Sequence, residues 1–236
     1  MKKLAVINFS GNVGKTVVAA HLLLPRIPEA RLFSVESINV DASDEGVEVE
    51  RVRGTRYLQL SEDLLQAPAA VVDVGASNVE GFLAGMKALE GSHAEFDAFV
   101  VPVVRGKKQL ADAINTVAAL ASLGVEAARI RVLFNKVDPN DELADEFGPF
   151  LEFCADSDTC VADPQACIHH NDVFERLKGL GLSLAAARAD REAWRERVRD
   201  ARDDEELRYA IARLTVQRLA TSAGRNLDAV WAVLQS

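Results

Sequence analysis

Gly14-Lys15-Thr16, placed directly after the apolar run Leu4–Ile7, has the residue types and spacing to hold a polyphosphate. Glycines let successive backbone N–H groups turn inward around phosphate oxygens, and the helix start that follows adds the positive end of its dipole. In this pattern Lys15 reaches the β- and γ-phosphates and the Thr16 hydroxyl ligates Mg²⁺. The segment Ser10-Gly11-Asn12-Val13-Gly14-Lys15-Thr16-Val17 is therefore the expected phosphate cradle. It departs from the usual pattern at Phe9, where a glycine six residues before the lysine is common. An ordinary strand-to-helix turn with a solvated lysine is the alternative.

Further carboxylates fall at strand ends. Asp73 closes the run Ala69-Ala70-Val71-Val72, where a carboxylate can hold Mg²⁺ through water, and Gly75 permits close approach to a γ-phosphate. Glu36 closes Phe33-Ser34-Val35 and suits a residue that orients an attacking water, with Asp41 as its nearby substitute. Asn135-Lys136-Val137-Asp138 follows a fifth apolar run. There an amide and a trailing carboxylate could read a purine base, the carboxylate favouring guanine. Asp138-Pro139 also reads as a turn.

These residues need a scaffold that brings strand ends together. Leu4–Ile7, Leu32–Val35, Ala69–Val74, Phe96–Val104 and Ile130–Phe134 are short apolar runs, suited to strands covered on both faces. Helix-period patterns at Lys15–Leu24, Ser77–Leu89 and Lys107–Leu123 alternate with them. The expected fold is α/β, a doubly wound and mostly parallel sheet, with ligands at the carboxyl ends of its strands. Residues 39–56 are polar and fall where a mobile nucleotide-sensing loop would lie. From Ser183 onward the chain reads as a helical C-terminal extension, broken at Gly224 before a final helix. One domain over residues 1–236 is the expectation.

The chain has 27 basic and 36 acidic residues, a formal charge of −9, which argues against indiscriminate nucleic-acid binding by its whole surface and leaves a local DNA contact open. No apolar run is long enough to span a bilayer, and the amino terminus does not read as a secretory signal. With three cysteines, this points to the cytoplasm. Cys154, Cys160, Cys167, His169 and His170 lack the paired spacing of a zinc site, so the cysteines read as small hydrophobes. The arginines of residues 188–202 alternate with acids and read as a solvated face.

Taken together, these residues resemble the deviant Walker A ATPases of the ParA/MinD class. Asn8-Phe9-Ser10-Gly11-Asn12-Val13-Gly14-Lys15-Thr16 is similar to that class's Asn-x-Lys-Gly-Gly-x-Gly-Lys-Thr. Ala5–Thr16, Val35–Asn39, Val101-Pro102-Val103, Lys107-Lys108-Gln109 and Val132–Lys136 resemble more closely the plasmid stability proteins called StbB. The likeness covers about residues 1–138, and beyond them only Asp172-Val173-Phe174-Glu175. It implies ATP and Mg²⁺ as cofactors and a role in plasmid maintenance, linked to conjugation and to a plasmid-encoded DNA-binding partner. It also implies a homodimer in which an extra lysine reaches the partner's phosphates. That position is Ser10 here, and Asn12 replaces a glycine. Arg105, Lys107 or Lys108 is the expected substitute cation. A GTPase and a non-catalytic, nucleotide-binding adaptor are the competing readings.

Overall fold

A computed structural model of the chain describes residues 1–36, 45–53 and 56–236. Asp41, with residues 39–44 and 54–55 of the expected sensing loop, lies outside the described residues.

Seven parallel strands form one sheet in the order β3-β2-β4-β1-β5-β6-β7. They are β1 Lys3–Val6, β2 Ala30–Glu36, β3 Glu50–Arg53, β4 Ala69–Val74, β5 Ala98–Val103, β6 Ile130–Val137 and β7 Cys167–His169. The helices in chain order are α1 Lys15–Val17, α2 Tyr57–Gln66, α3 Val79–Ala88, α4 Lys107–Ser122, α5 Leu143–Ser157, α6 Val173–Leu180, α7 Leu184–Ala189, α8 Trp194–Asp200 and α9 Asp204–Gln235. α1 continues as a π-helical stretch, Val18–Leu23, and tightens to 3-10 geometry over Leu24–Arg26.

Alternation along each strand divides the core between the two faces of the sheet. Ala5, Phe33, Val72, Phe99 and Phe134 face an aromatic-rich layer under α2, α3, α4 and α5. Leu4, Val6, Leu32, Val71 and Val100 face an aliphatic layer under α1, α6, α7 and α9. Both faces are covered, which explains why the central strands read as unbroken apolar runs. β1 sits between β4 and β5, so the chain leaves it towards one edge and later returns to build the other. Such a reversal opens a crevice at the carboxyl ends of the strands.

Three sequence expectations change. β3 and β7 are strands that periodicity does not announce: β3 is four residues with three exposed charges, and β7 is only three residues long. β6 runs on to Val137, so Asn135 and Lys136 belong to the strand rather than following it. Gly224 does not break the last helix. It is buried in the middle of α9, and a Cβ there would lie 2.3 Å from Arg188 Nε. The missing side chain makes room for the guanidinium, whose Nη2 donates to Asp228 Oδ2 at 2.9 Å.

Candidate functional site

The loop between β1 and α1 is held in place at several points. Asn8 is fully buried; its Nδ2 donates to Pro102 O at 2.8 Å, and its Oδ1 accepts from Ser10 N at 2.7 Å. Gly14 has φ 83°, and a Cβ there would be 2.4 Å from Asn135 Nδ2, so backbone conformation and close approach both require glycine. Gly11 has nothing within 4 Å of its hypothetical Cβ and faces open space on the ligand side.

From the opposite side, the end of β6 holds the loop down. Asn135 Nδ2 donates to Val13 O at 2.7 Å, and Lys136 Nζ donates to Asn12 O at 3.0 Å. Asn12 and Lys136 are both left-handed, each with φ 58°. Non-glycine residues are uncommon in that region. Asn135 Oδ1 accepts from Lys136 N at 2.9 Å. The Asn135 amide is thus engaged with the loop on one side and its own backbone on the other, rather than presented to a base.

Lys15 is buried, and its Nζ donates to Asn8 O at 3.1 Å and Ser10 O at 2.7 Å. Burial lowers its pKa, opposed by the negative charge of Asp73. Thr16 Oγ1 donates to Asp73 Oδ2 at 2.7 Å. The register Val6↔Asp73 explains this meeting, because it sets Asp73 beside the last residue of β1. Burial pushes the Asp73 carboxyl up to about 6; the Thr16 hydrogen bond and Lys15 oppose this, while Glu36 and Glu45 add to it. Asp73 Oδ1 is buried without a partner among the described residues. A buried carboxylate oxygen left unpaired is costly, and a divalent cation or its water would satisfy it.

These groups open into a cavity of about 410 Å³. Gly11, Asn12, Gly14, Lys15, Thr16 and Val17 line one end of it, with Glu36, Asp73, Asn135 and Lys136. The structure thus brings together most of the expected residues. Val13 is fully buried behind the loop. Ser10 also lies outside the lining, with its carbonyl on Lys15 and its hydroxyl donating to Asp112 Oδ2. Asp138 lies away from the cavity, where its Oδ1 accepts from Asn140 N and Nδ2, each at 2.9 Å. None of the three expected substitute cations reaches the cavity. Arg105 is 3.5 Å from Asp141, Lys107 is exposed, and Lys108 lines a separate groove with Phe9, Ser77 and Asp112. Within this chain, Lys136 is a cation brought to the loop.

The far wall comes from residues that sequence reasoning left without a role there. His169, His170, Asn171 and Asp172 follow β7, and Phe174, Glu175 and Lys178 come from α6. Glu45 completes the lining beside Asp73. Its Oε2 is 2.9 Å from Nε2 of fully buried His21, which stacks on Phe174 at 5.7 Å between ring centroids. Leu184 N donates to His21 Nδ1 at 3.4 Å, which leaves Nε2 as the protonated nitrogen facing Glu45. The one signal in the chain was His21 itself, a polar residue inside an otherwise apolar helical run.

The parallel sheet with its flanking helices agrees with solved structures. The chain has the fold of the MinD and ParA P-loop ATPases. A chain of the MinC:MinD cell division protein complex of Aquifex aeolicus superposes with a TM-score of 0.59 at 12% identity, over 100% of this chain and 97% of that one. The Pyrococcus furiosus cell division ATPase MinD gives 0.57 at 11%, over 92% and 99%. A variant of Cyanothece McdA in complex with ATP gives 0.51 at 14%, over 97% and 96%. No family model and no curated protein matches the chain by sequence. Among the described residues, no helix is long and apolar enough to cross a membrane.

Proposed function

We propose that this chain is a Mg²⁺-dependent, ATP-binding switch of the ParA/MinD kind that hydrolyses ATP slowly. The observation that carries the reading is the Thr16–Asp73 contact at 2.7 Å beside an unpaired Asp73 oxygen, at the mouth of a glycine-bearing loop. A hydroxyl and a carboxylate are the oxygen donors Mg²⁺ takes from protein in phosphate sites. Bound there, the ion would neutralise phosphate charge and fix the terminal oxygens.

This chain's own groups do the rest. Lys15 exchanges its two loop carbonyls for phosphate oxygens, so its positive charge is already positioned when the nucleotide arrives. The loop amides and the start of α1 hold the phosphate chain, and Asn135 and Lys136 keep that loop in shape. Glu36 orients the attacking water. The wall from His169 to Lys178, at the other end of the cavity, receives the base and sugar. With Asp138 turned to Asn140, no carboxylate from that motif is placed to accept guanine N–H groups, which favours ATP over GTP.

The closer likeness to the StbB proteins supports a role in plasmid stability, with a plasmid-encoded DNA-binding protein as partner and homodimerisation as part of the cycle. A second reading, an adaptor that binds nucleotide without turnover, is favoured by Ser10, whose hydroxyl is engaged with Asp112 where the class carries its extra lysine.

Equilibrium binding of labelled ATP, with GTP as competitor, and phosphate release by wild type and Lys15→Ala test this. Tight ATP binding lost in the variant, with slow release by wild type, is expected. Binding without release, even with DNA and partner present, selects the adaptor. Indifference of the wild type to every nucleoside triphosphate overturns both.

A further inference from the structure

Cys154 lies in the last turn of α5, and Cys160 in the segment that leads back to the sheet. Asp158 ends the helix in the left-handed region at φ 49°, with its N–H on Cys154 O at 3.3 Å. That reversal folds the chain back so that the two cysteine side chains meet, with their sulfurs 3.4 Å apart. Cys160 is anchored through Val161, whose N–H donates to Ile130 O at 2.8 Å and whose carbonyl accepts from Val132 N at 2.9 Å. Both sulfurs therefore ride on fixed backbone. Both thiols are free, and they are 8% and 9% exposed, shielded but not sealed.

We propose that Cys154 and Cys160 are an oxidative modification site that closes into a reversible intramolecular disulfide when a small hydroperoxide reaches it. A disulfide needs about 2.05 Å between sulfurs, so the pair must close by roughly 1.4 Å, within reach of side-chain rotation. A metal site does not account for the pair, since no group of three ligating side chains occurs among the described residues. Plain hydrophobic packing does not require two sulfurs to face each other, and it predicts no reaction.

The chemistry balances with the hydroperoxide as oxidant. The hydrogen bond with Cys154 holds the Cys160 thiol below its ordinary range, which favours its thiolate as nucleophile. Its sulfur attacks the peroxide, the O–O bond breaks, an alcohol or water leaves with a proton, and Cys160 becomes a sulfenic acid. Cys154 then attacks that sulfur; the S–S bond forms, the S–OH bond breaks, and water leaves with the Cys154 proton. Two electrons pass from the thiols to the peroxide. Cys167 stays out: burial pushes its thiol up to about 11, and its Sγ lies 4.0 Å from His169 Nδ1.

The experiment treats the full chain with hydrogen peroxide, alkylates it under denaturing conditions and maps the peptides by mass spectrometry. Expected are a fall from three alkylatable thiols to one, a linked peptide pair holding residues 154 and 160, reversal by dithiothreitol, and a melting temperature higher by a few degrees. Cys154→Ser and Cys160→Ser each abolish the link, and Cys167→Ser leaves it. Three persisting thiols, a link to Cys167, a link between chains, or irreversible oxidation alone would overturn the proposal. Should a serine variant not fold, the wild-type peptide map decides by itself.

Discussion

The Thr16 hydroxyl donates to the Asp73 carboxylate across 2.7 Å, tying the first turn of α1 to the end of β4, 57 residues further along the chain. The contact fixes the only partner of a carboxyl whose other oxygen is buried and unpaired among the described residues. That imbalance governs how the folded chain responds to pH.

Asp73 has its folded pKa raised from 3.8 to about 6, so the folded protein binds the extra proton between those values. The sign is that of a destabilising charge: stability is lost as pH rises from about 4 to 6 and is regained on acidification. Asp73→Asn removes that cost and is expected to stabilise the ligand-free protein by ~1–3 kcal/mol at pH 7. The same variant loses Mg²⁺-dependent nucleotide binding, and wild-type binding weakens below about pH 6 as the carboxyl is protonated. Denaturant unfolding against pH, with a parallel binding titration, checks both; a destabilised Asp73→Asn protein would count against the assignment.

Gly14→Ala places a Cβ 2.4 Å from Asn135 Nδ2 at a backbone φ of 83°. The left-handed conformation alone costs about 1 kcal/mol or more, and the overlap must displace the asparagine that holds the loop. Nucleotide binding should fall at least tenfold. Binding equal to wild type would show that the loop tolerates a different shape.

Asn135→Ala leaves the Val13 carbonyl without its partner, a loss of about 1–3 kcal/mol in a buried setting. Because the amide holds the loop rather than a base, ATP and GTP affinities should decline by the same factor. A selective loss of one nucleotide would return Asn135 to base recognition.

His21 and Glu45 form a buried pair at 2.9 Å, with side chains 0% and 9% exposed. With Nε2–H donating to Glu45, removing His21 leaves a buried carboxylate without its hydrogen-bond partner, a loss of about 1–3 kcal/mol. His21→Ala should therefore lower the unfolding free energy by about that much, and the double variant His21→Leu with Glu45→Leu should recover part of it. Full additivity of the two single effects would show that the residues are not coupled.

Much of the scaffold was legible along the chain. The runs that became β1, β2, β4, β5 and the first part of β6 were readable because strands buried on both faces must be apolar throughout. α2, α5 and α6 went unassigned. Gly224 misled because glycine is a poor helix former in general, whereas here the space it leaves is filled by Arg188. β3 and β7 were illegible because an edge strand needs only one neighbour, and short polar segments pair through backbone groups common to every sequence.

The chain by itself determined that a glycine-bearing turn with Lys15 and Thr16 follows a buried strand, and that Asp73 and Glu36 end others. Spacing and hydrophobicity are local properties, written residue by residue. Which of these groups meet was decided by the tertiary structure alone. The order β4-β1-β5 puts Asp73 on Thr16, the end of β6 brings Lys136 to the loop, and α6 closes the far wall. Strand order depends on how two faces of a sheet are buried by helices distant in sequence, and no local pattern encodes it.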